Sequence, residues 1–355
     1  MSAPKQTANL GDVAQVLGVS VATVSNALSG KGRVSAELIP RIRETAERLG
    51  YVPSPAARAL RTGRSSVLGL VLPDLASPLF PQIAQAIEFA ANKAGYGVLI
   101  ADSRGDVAQQ TSAINRLVAR DVDGLVVVPR RGTRVADMGC PVAVIDSPST
   151  PGNTVSADHW QGGELVGAHL AGLGHRRVVL IGSSPASNVQ NDRIGGMRAG
   201  LGAGAESAVL WIEQHEERHG PGAPLGLGDW AARGFTGFAA VSDVHALRVM
   251  TELSRAGLRI PEAVSVTGFD DLPWSSAIIP PLTTVRTDLP LLAEIAVASL
   301  VRVIDGKAKT ETGIVSSIDV SRVPMSLIPR ETSAAVANPP PTAGQQSPVT
   351  GAGPC

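Results

Sequence analysis

The chain has 355 residues, of which 44% are hydrophobic, 17% charged and 3% aromatic, and its formal net charge at pH 7 is zero. A chain of this length is too long to fold around one ordinary hydrophobic core, so we expect about two or three domains. The apolar content excludes a fibrous or wholly disordered protein. No apolar run is long enough to cross a membrane and residues 1–7 lack the pattern of a signal peptide, so we expect a soluble, cytoplasmic protein without a membrane partner.

The zero net charge hides an asymmetry between the amino end and the rest of the chain. Residues 1–64 hold nine Lys and Arg against four Asp and Glu, whereas the remainder holds 22 against 27. A small basic segment ahead of an acidic body is typical of a phosphate-binding module joined to another domain. The two cysteines, Cys140 and Cys355, lie far apart, which excludes a disulfide framework and a cysteine-based zinc site.

Residues 10–28 have the spacing of a helix-turn-helix. Ala14 is small where two crossing helices touch, Gly18 supplies a left-handed turn, and Val24 is expected to pack on the first helix. Ser20 is a natural N-cap for the second helix. The alternative is an ordinary helical hairpin, which the basic charge of this region disfavours.

The second helix would present its amino-terminal, outward surface to the DNA major groove. Asn26 can pair with adenine through two hydrogen bonds, and Val21 and Ala22 can contact thymine methyl groups. Ser25 lies on the same surface.

Turn residues separate this segment from the body of the chain. Residues 51–55 break a helical stretch, and residues 62–66 form a second break. Residues 56–61, between these breaks, are too few to form a stable helix in water, so we expect them to order only when they are held.

Short apolar runs then alternate with helical periods, which predicts parallel sheets with right-handed crossovers and room for two such sheets. The predicted strands are 67–72, 97–100, 124–128, 142–145, 178–181 and 264–269, and the predicted helices are 81–94, 107–120, 160–173, 243–256 and 289–304. Residues 331–355 are rich in Pro, Gly, Ser and Thr, and we expect a disordered tail there.

Residues 215–219 match the H-E-x-x-H pattern of zinc proteases. A zinc protease needs a long helix and a third ligand, but Pro221 and Pro224 break the helix and Leu225 stands at the third position. We therefore interpret residues 213–219 as a solvated charged segment, and we expect neither a metal nor a cofactor.

Motifs spread over residues 9–330 resemble the lactose-repressor/galactose-repressor (LacI/GalR) family of bacterial transcription regulators. In chain order they are Asp12–Ala14, Gly18–Ser20, Thr23–Ser25, Leu49–Pro53, Ala57–Leu60, Val122–Gly124, Gly268–Asp271 and Pro281–Val285. The resemblance implies an α/β protein with a small all-α helix-turn-helix headpiece and a two-lobed core with parallel sheets, similar to periplasmic binding proteins. The implied domains are a headpiece at 1–52, a hinge helix and linker at 53–65, an effector-binding and dimerisation core of two subdomains at 66–330, and the tail at 331–355.

The resemblance also implies how the headpiece and hinge would bind an operator. Leu60 matches the hinge-helix leucine that enters the minor groove and kinks the duplex, and its alternative role is packing between domains. Candidate phosphate contacts position the protein without reading sequence. The complete predicted DNA-binding set is Asn9, Ser20, Val21, Ala22, Thr23, Ser25, Asn26, Arg33, Ser35, Arg58 and Leu60.

One departure from the family lies at Pro40, where the third helix usually continues with polar and basic residues. Proline lacks an amide donor and is tolerated only in the first turn of a helix. We therefore predict that the third helix begins near Ile39 with Pro40 in its first turn, which puts phosphate contacts from that turn in doubt.

An effector is expected between the lobes, at loops that follow the carboxyl ends of strands. Asp146, Asp243 and Asp270 follow apolar runs in this way, and Phe80 follows the loop after the first run. By resemblance, Asp146, Arg193 and Asp270 match the polar effector ligands, and Phe80 and Trp230 match positions where an aromatic ring covers the ligand.

Carboxylates and a guanidinium beside an aromatic ring suit the hydroxyls and apolar face of a sugar. A second departure is that the segment between Trp230 and Asp243 is about one helical turn shorter than is usual in the family, so Trp230 could be displaced.

The sequence thus predicts a homodimeric, non-enzymatic repressor of a near-palindromic operator, controlled by a small molecule, most simply a carbohydrate. The alternative is a free-standing sugar-binding or sugar-modifying protein with an incidental basic arm.

Overall fold

The computed structural model describes residues 8–29, 32–51, 63–147, 153–310, 313–317 and 321–336. The chain divides into two compact units, residues 1–66 and residues 67–355. Arg58 and Leu60 of the predicted hinge lie outside the described residues. No helix in the described ranges is both long and apolar enough to cross a membrane.

The first unit contains three helices, α1 (Leu10–Leu17), α2 (Val21–Ser29) and α3 (Leu38–Arg48). Gly18 has a left-handed φ of 66° at the end of α1, as predicted. The Ser20 hydroxyl accepts a hydrogen bond from the backbone N–H of Thr23, so it caps α2, also as predicted. The buried core of this unit consists of Val13, Ala14, Val24, Ala27, Ile42 and Ala46.

Helix α3 begins one residue before the predicted start, at Leu38, and Pro40 lies in its first turn. The backbone N–H groups of Leu38 and Ile39 donate to the Ser35 carbonyl. Because a first-turn residue has no carbonyl partner within the helix, the proline removes no helical hydrogen bond there.

The first lobe of the second unit is built on a four-stranded parallel sheet in the order β2-β1-β3-β4. Its strands are β1 (Val67–Leu72), β2 (Gly97–Asp102), β3 (Gly124–Val127) and β4 (Val142–Val144), and its helices include α4 (Leu79–Lys93) and α5 (Val107–Val118). Strands β1, β3 and β4 are almost wholly buried, which explains why their sequences are continuous apolar runs.

The second lobe holds another four-stranded parallel sheet, in the order β7-β6-β8-β9. In chain order this lobe contains β5 (Ser156–Ala157), α6 (His159–Gly172), β6 (Arg177–Gly182), α7 (Asn188–Leu201), β7 (Glu206–Trp211), α8 (Ile212–His219), α9 (Leu227–Ala232), β8 (Gly237–Ala240), α10 (Asp243–Arg255) and β9 (Ser265–Thr267). The predicted α/β class with two parallel sheets is confirmed.

The lobes are joined by short strands and by one returning helix. Strand β10 (Thr284–Thr287) leads into α11 (Leu289–Ile304), whose buried residues pack in the core of the first lobe. Strand β11 (Arg322–Val323) pairs with β5, and β12 (Met325–Ile328) pairs with β10. The chain therefore passes repeatedly between the lobes, so their facing edges are held close together.

The prediction of a disordered tail over residues 331–355 is wrong for residues 331–336. Thr332 is fully buried, and its hydroxyl donates to the Val266 carbonyl and accepts from the N–H of Thr283. The buried imidazole of His175 contacts the Ala334 carbonyl. These contacts fix residues 331–336 on the second lobe, and residues 337–355 lie outside the described part of the chain.

Candidate functional site

Four ionisable side chains meet where the two lobes face each other. Asp146 follows β4 of the first lobe, whereas His159 begins α6, Arg193 lies within α7, and Asp270 follows β9, all in the second lobe. The side chains of His159, Arg193 and Asp270 are at most 6% exposed and that of Asp146 is 14% exposed. The structure thus brings together the three predicted polar ligands, together with a histidine that was not predicted.

These side chains form one continuous chain of polar contacts. Nε2 of His159 lies 2.7 Å from Oδ1 of Asp146, and Nε of Arg193 donates to Nδ1 of His159 over 3.3 Å. Nη1 of Arg193 donates to Oδ1 of Asp270 over 2.9 Å. The carboxylate of Asp146 in the first lobe is therefore connected to the carboxylate of Asp270 in the second lobe through the side chains of His159 and Arg193.

The guanidinium of Arg193 is fixed by two further contacts. Its Nη1 donates to the Val241 carbonyl over 2.6 Å, and its Cζ lies 3.9 Å from the centroid of the Phe269 ring. A buried arginine that is hydrogen-bonded and stacked in this way is held in one orientation.

Close packing of α6 against α7 positions His159 beside Arg193. A Cβ atom on Gly163 would lie 2.2 Å from the Arg193 carbonyl oxygen, and one on Gly196 would lie 2.0 Å from the Trp160 carbonyl oxygen. Backbones can approach this closely only where side chains are absent. The glycines of the two helices thus bring the imidazole within hydrogen-bonding distance of the guanidinium.

The two aspartates at the ends of the chain of contacts have opposite pKa shifts. Burial alone would raise the pKa of Asp146, but its interactions with His159 and Arg193 outweigh burial and lower it. Burial also raises the pKa of Asp270, to about 7, and Arg193 offsets this only in part. Asp146 is therefore the stable anion of the site, whereas Asp270 titrates near neutral pH.

Both aspartates also have uncommon backbone conformations. The φ angle is 59° at Asp146 and 108° at Asp270. Positive φ at a residue with a side chain costs on the order of 1–3 kcal/mol and is concentrated at binding and catalytic sites. The backbone of both loops therefore adopts a costly conformation that places these carboxylates in the cluster.

A small cavity adjoins the cluster, with a free volume of about 10 Å³. Its lining residues are Leu79, Ile83, Asp146, His159, Arg193, Thr287, Leu289 and Leu292. Apolar residues of α4 and α11 therefore face the polar side chains of Asp146, His159 and Arg193, a combination that suits a ligand with polar and apolar faces. The volume is about that of one water molecule, so a larger ligand requires separation of the lobes.

Two predicted aromatic residues do not join the cluster. Phe80 packs against the core of the first lobe, and its neighbour Leu79 lines the cavity instead. Trp230 lies edge-on to Phe235 at a centroid distance of 4.9 Å, and Phe235 precedes the amino end of β8. Because the cluster lies at the carboxyl ends of the strands, Trp230 is at the opposite edge of the sheet.

Asp243 lies behind the cluster rather than in the cavity wall. It is fully buried, and its carboxylate accepts hydrogen bonds from the N–H of Leu272 and the hydroxyls of Ser275 and Thr284, at 2.5–2.8 Å. Burial raises the pKa of Asp243 despite these donors. The carboxylate therefore fixes the chain after β9, next to the loop that carries Asp270.

The outer surface of α2 in the first unit carries the residues predicted to read DNA. Val21, Ala22 and Asn26 are exposed, and Thr23 and Ser25 are partly buried. Arg33 and Ser35 are also exposed. The exposed Asn9 caps α1, because its side-chain oxygen accepts from the N–H groups of Gly11 and Asp12.

The H-E-x-x-H segment forms the short helix α8, which ends at His219 before Gly220. Nε2 of His215 is hydrogen-bonded to the Pro224 carbonyl. Within the described ranges, no three His, Cys, Asp or Glu side chains are grouped so that they could hold a metal ion. The segment was expected to be a solvated charged stretch, and its helix buries only Ile212.

Comparisons with known proteins cover both units. Residues 9–54 match the family described as "Bacterial regulatory proteins, lacI family", and residues 168–333 match the "Periplasmic binding protein-like domain". The HTH-type transcriptional regulator MalR of Streptomyces coelicolor is 32% identical over 84% of this chain and 91% of its own length. The ribose operon repressor of Bacillus subtilis is 28% identical over 92% of this chain and 98% of its own length.

The solved structures include a similar protein with DNA. The crystal structure of the lac repressor dimer bound to operator and the anti-inducer ONPF has a TM-score of 0.75 and 27% identity, and it covers 93% of this chain and 100% of that chain.

Proposed function

Because the chain belongs to the lacI family of bacterial regulatory proteins, we propose that it is a sequence-specific transcription repressor whose operator affinity is controlled by a small molecule bound between the lobes. The observation that carries this proposal is the presence, on one chain, of a separate helix-turn-helix unit and a two-lobed unit with a buried polar cluster between its lobes. A free-standing sugar-binding or sugar-modifying protein would leave the helix-turn-helix without a role.

The exposed surface of α2 is proposed to read the operator in the major groove. Asn26 offers an amide to adenine, and Val21 and Ala22 offer apolar contact to thymine methyl groups. Exposed Arg33 and Ser35 are suited to phosphate contacts, which fix the register of the protein on DNA. Arg58 and Leu60 keep their proposed hinge roles, although they lie outside the described residues.

The effector is proposed to be a carbohydrate or related polyol. Asp146 and Asp270 supply acceptors on either side of the Arg193 donors, an arrangement that matches neighbouring hydroxyl groups. Leu79, Ile83 and Leu292 supply an apolar wall for the carbon face of a ring. Asp243 is proposed to position Asp270 rather than to touch the effector, and Trp230 and Phe80 are not part of the proposed site.

Effector control follows from the geometry of the two lobes. The closed cavity cannot admit a sugar, so binding requires that the lobes separate and close again around the ligand. The effector then stabilises the arrangement of the lobes that binds it more tightly. The stabilisation equals the difference between its binding free energies in the two arrangements. We propose that this difference in binding free energy changes the affinity of the headpieces for DNA.

A homodimer is proposed because a near-palindromic operator requires two headpieces related by a two-fold axis. The large apolar side chains that such an interface could cover include Phe89 on α4, which is 60% exposed, and Ile279, which is 94% exposed. Ile100 on the edge strand β2 and Val244 and Leu247 on α10 are exposed as well.

We propose further that the protein is not an enzyme and acts in the cytoplasm, where its DNA is. The charged groups of the cluster are paired with one another through hydrogen bonds, an arrangement suited to binding.

The test is calorimetric titration of neutral monosaccharides and disaccharides, including ribose and cellobiose, into the wild type and Arg193→Ala. For a sugar that binds the wild type, we expect at least about a hundredfold loss of affinity, because the buried Asp270 carboxyl and the Nδ1 of His159 lose their donor. Arg198→Ala is the matched control, since Arg198 is exposed on the same helix. Equal affinity of Arg193→Ala and the wild type contradicts the proposed site.

A further inference from the structure

His159 is a member of the buried cluster that contacts a side chain from each lobe. It belongs to α6 of the second lobe, and its side chain is 1% exposed. Its Nε2 faces Asp146 of the first lobe, and its Nδ1 faces Arg193 on α7 of the second lobe. The family motifs assigned no role to this residue.

The partners of the imidazole determine where its proton lies. A guanidinium N–H can only donate a hydrogen bond, so Nδ1 of His159 must accept and carries no proton. A carboxylate accepts, so Nε2 carries the proton and donates to Asp146. The neutral Nε2–H tautomer satisfies both contacts, whereas an imidazolium would direct a second N–H at the N–H of Arg193.

The same contacts leave specific atoms for an effector. His159 uses Oδ1 of Asp146 and Nε of Arg193, and Asp270 and Val241 share Nη1 of Arg193. Among the described residues, Oδ2 of Asp146 and Nη2 of Arg193 make no hydrogen bond, so these are the atoms through which the two residues can bind a hydroxyl pair. The imidazole between them sets the distance between that acceptor and that donor.

We propose that His159 is a positioning residue that joins the two lobes as a neutral Nε2–H imidazole, and thereby sets the spacing between Asp146 and Arg193 for the effector. The proposal rests on the proposed function only where it names the effector. His159 contacts Asp146 across the lobes and Arg193 within the second lobe.

The test is nitrogen-15 NMR of the histidine rings in the full-length chain, labelled at its six histidines. His159→Gln identifies the His159 resonances by their loss, and His159→Asn serves the same purpose if the first variant does not fold. His169→Gln is the matched control, because His169 lies on the same helix but contacts Ser333. The control should leave the His159 resonances unchanged.

At pH 7.5 we expect one protonated nitrogen at Nε2 and an unprotonated Nδ1. Asp146→Ala should speed exchange of the Nε2 proton about tenfold or more, because the proton loses a charged acceptor. A proton on Nδ1, rapid averaging of both tautomers, or an exchange rate unchanged in Asp146→Ala overturns the proposal.

The same samples separate this proposal from the proposed function. If the tautomer is as expected but none of the sugars titrated above binds, the carbohydrate effector is wrong and the role of His159 in joining the lobes stands. If a sugar binds in an Arg193-dependent way while the His159 ring averages between tautomers, the site is correct and the positioning role of His159 is overturned.

Discussion

The backbone contact between α6 and α7 is the feature most easily tested by one added methyl group. In Gly163→Ala the new Cβ would lie 2.2 Å from the Arg193 carbonyl oxygen and 2.9 Å from the Met197 nitrogen. Cβ atoms in proteins essentially never come within 3.0 Å of a non-bonded heavy atom, so the helices must move apart by most of 1 Å. Both neighbours are backbone atoms, and no side chain can rotate away to relieve the contact.

Overpacking of a tightly packed core costs typically about 1–3 kcal/mol, and occasionally more. The contact on Gly163 is rigid, and Gly167, Gly196 and Gly200 make equally close approaches along the same pair of helices. We therefore expect the upper end of that range, about 3 kcal/mol. For a domain of this size that corresponds to a fall in Tm of roughly 6 °C or more.

The assay is thermal unfolding of the full chain, followed by circular dichroism. Gly172→Ala is the matched control, because Gly172 lies at the end of the same helix and a Cβ there would meet no heavy atom within 4 Å. This control should be neutral or stabilise the protein by up to about 1 kcal/mol, since alanine is the better helix former. Gly163→Ala should also weaken sugar binding, because the shift carries Arg193 away from His159.

Equal Tm values for Gly163→Ala and Gly172→Ala would refute the argument that glycine backbone contact sets the spacing of the two helices. A large loss of stability with unchanged sugar affinity would refute the narrower argument that this spacing positions Arg193.

Three further predictions concern pH, the hinge and salt. Burial raises the pKa of Asp270 to about 7, so the folded protein binds this proton more tightly than the unfolded chain, and the carboxyl lowers stability as pH rises from 3.8 to about 7. The difference in Tm between Asp270→Asn and the wild type should therefore increase as pH rises across this range and level off above it. A difference that does not change with pH would contradict the raised pKa of Asp270. Leu60→Ala should weaken operator binding about tenfold or more and reduce the DNA bend measured by gel mobility. Unchanged affinity and an unchanged bend would show that Leu60 does not enter the minor groove. The logarithm of the operator association constant should fall against the logarithm of salt concentration with a slope of about −4 or steeper, and a flat response excludes multiple phosphate contacts.

The strands were the easiest elements to predict. Strand β1 has the predicted bounds, 67–72, because a strand buried on both faces is a continuous apolar run with turn residues at its ends. Helix α11 also has its predicted bounds, 289–304. Both elements are strongly apolar segments in which local pattern and tertiary burial agree.

Helix α7 was not predicted as an element, for a physical reason. Gly195, Gly196 and Gly200 lower its intrinsic helix propensity, and its stability comes from contact with α6, which sequence periodicity does not report. Helix α7 therefore runs to Leu201 through a segment that is rich in glycine.

The candidate site was predictable only in part. Asp146 and Asp270 could be placed because they follow apolar strands, and Arg193 because its position resembles that of a polar effector ligand in the family. His159 could not, because its two partners are 13 and 34 residues away along the chain. Trp230 was placed by resemblance, but the short connection from α9 to β8 holds it beside Phe235.

The central claim is that a ligand in the cleft decides whether two headpieces hold one duplex. The most direct measurement is selection of bound genomic fragments by the purified full-length chain at physiological ionic strength, followed by titration of sugars into the preferred complex. The account predicts a near-palindromic fragment bound in preference to random competitor, and a sugar that changes its affinity about tenfold or more in the wild type but not in Arg193→Ala. No preference for any fragment, with or without added sugars, would contradict it.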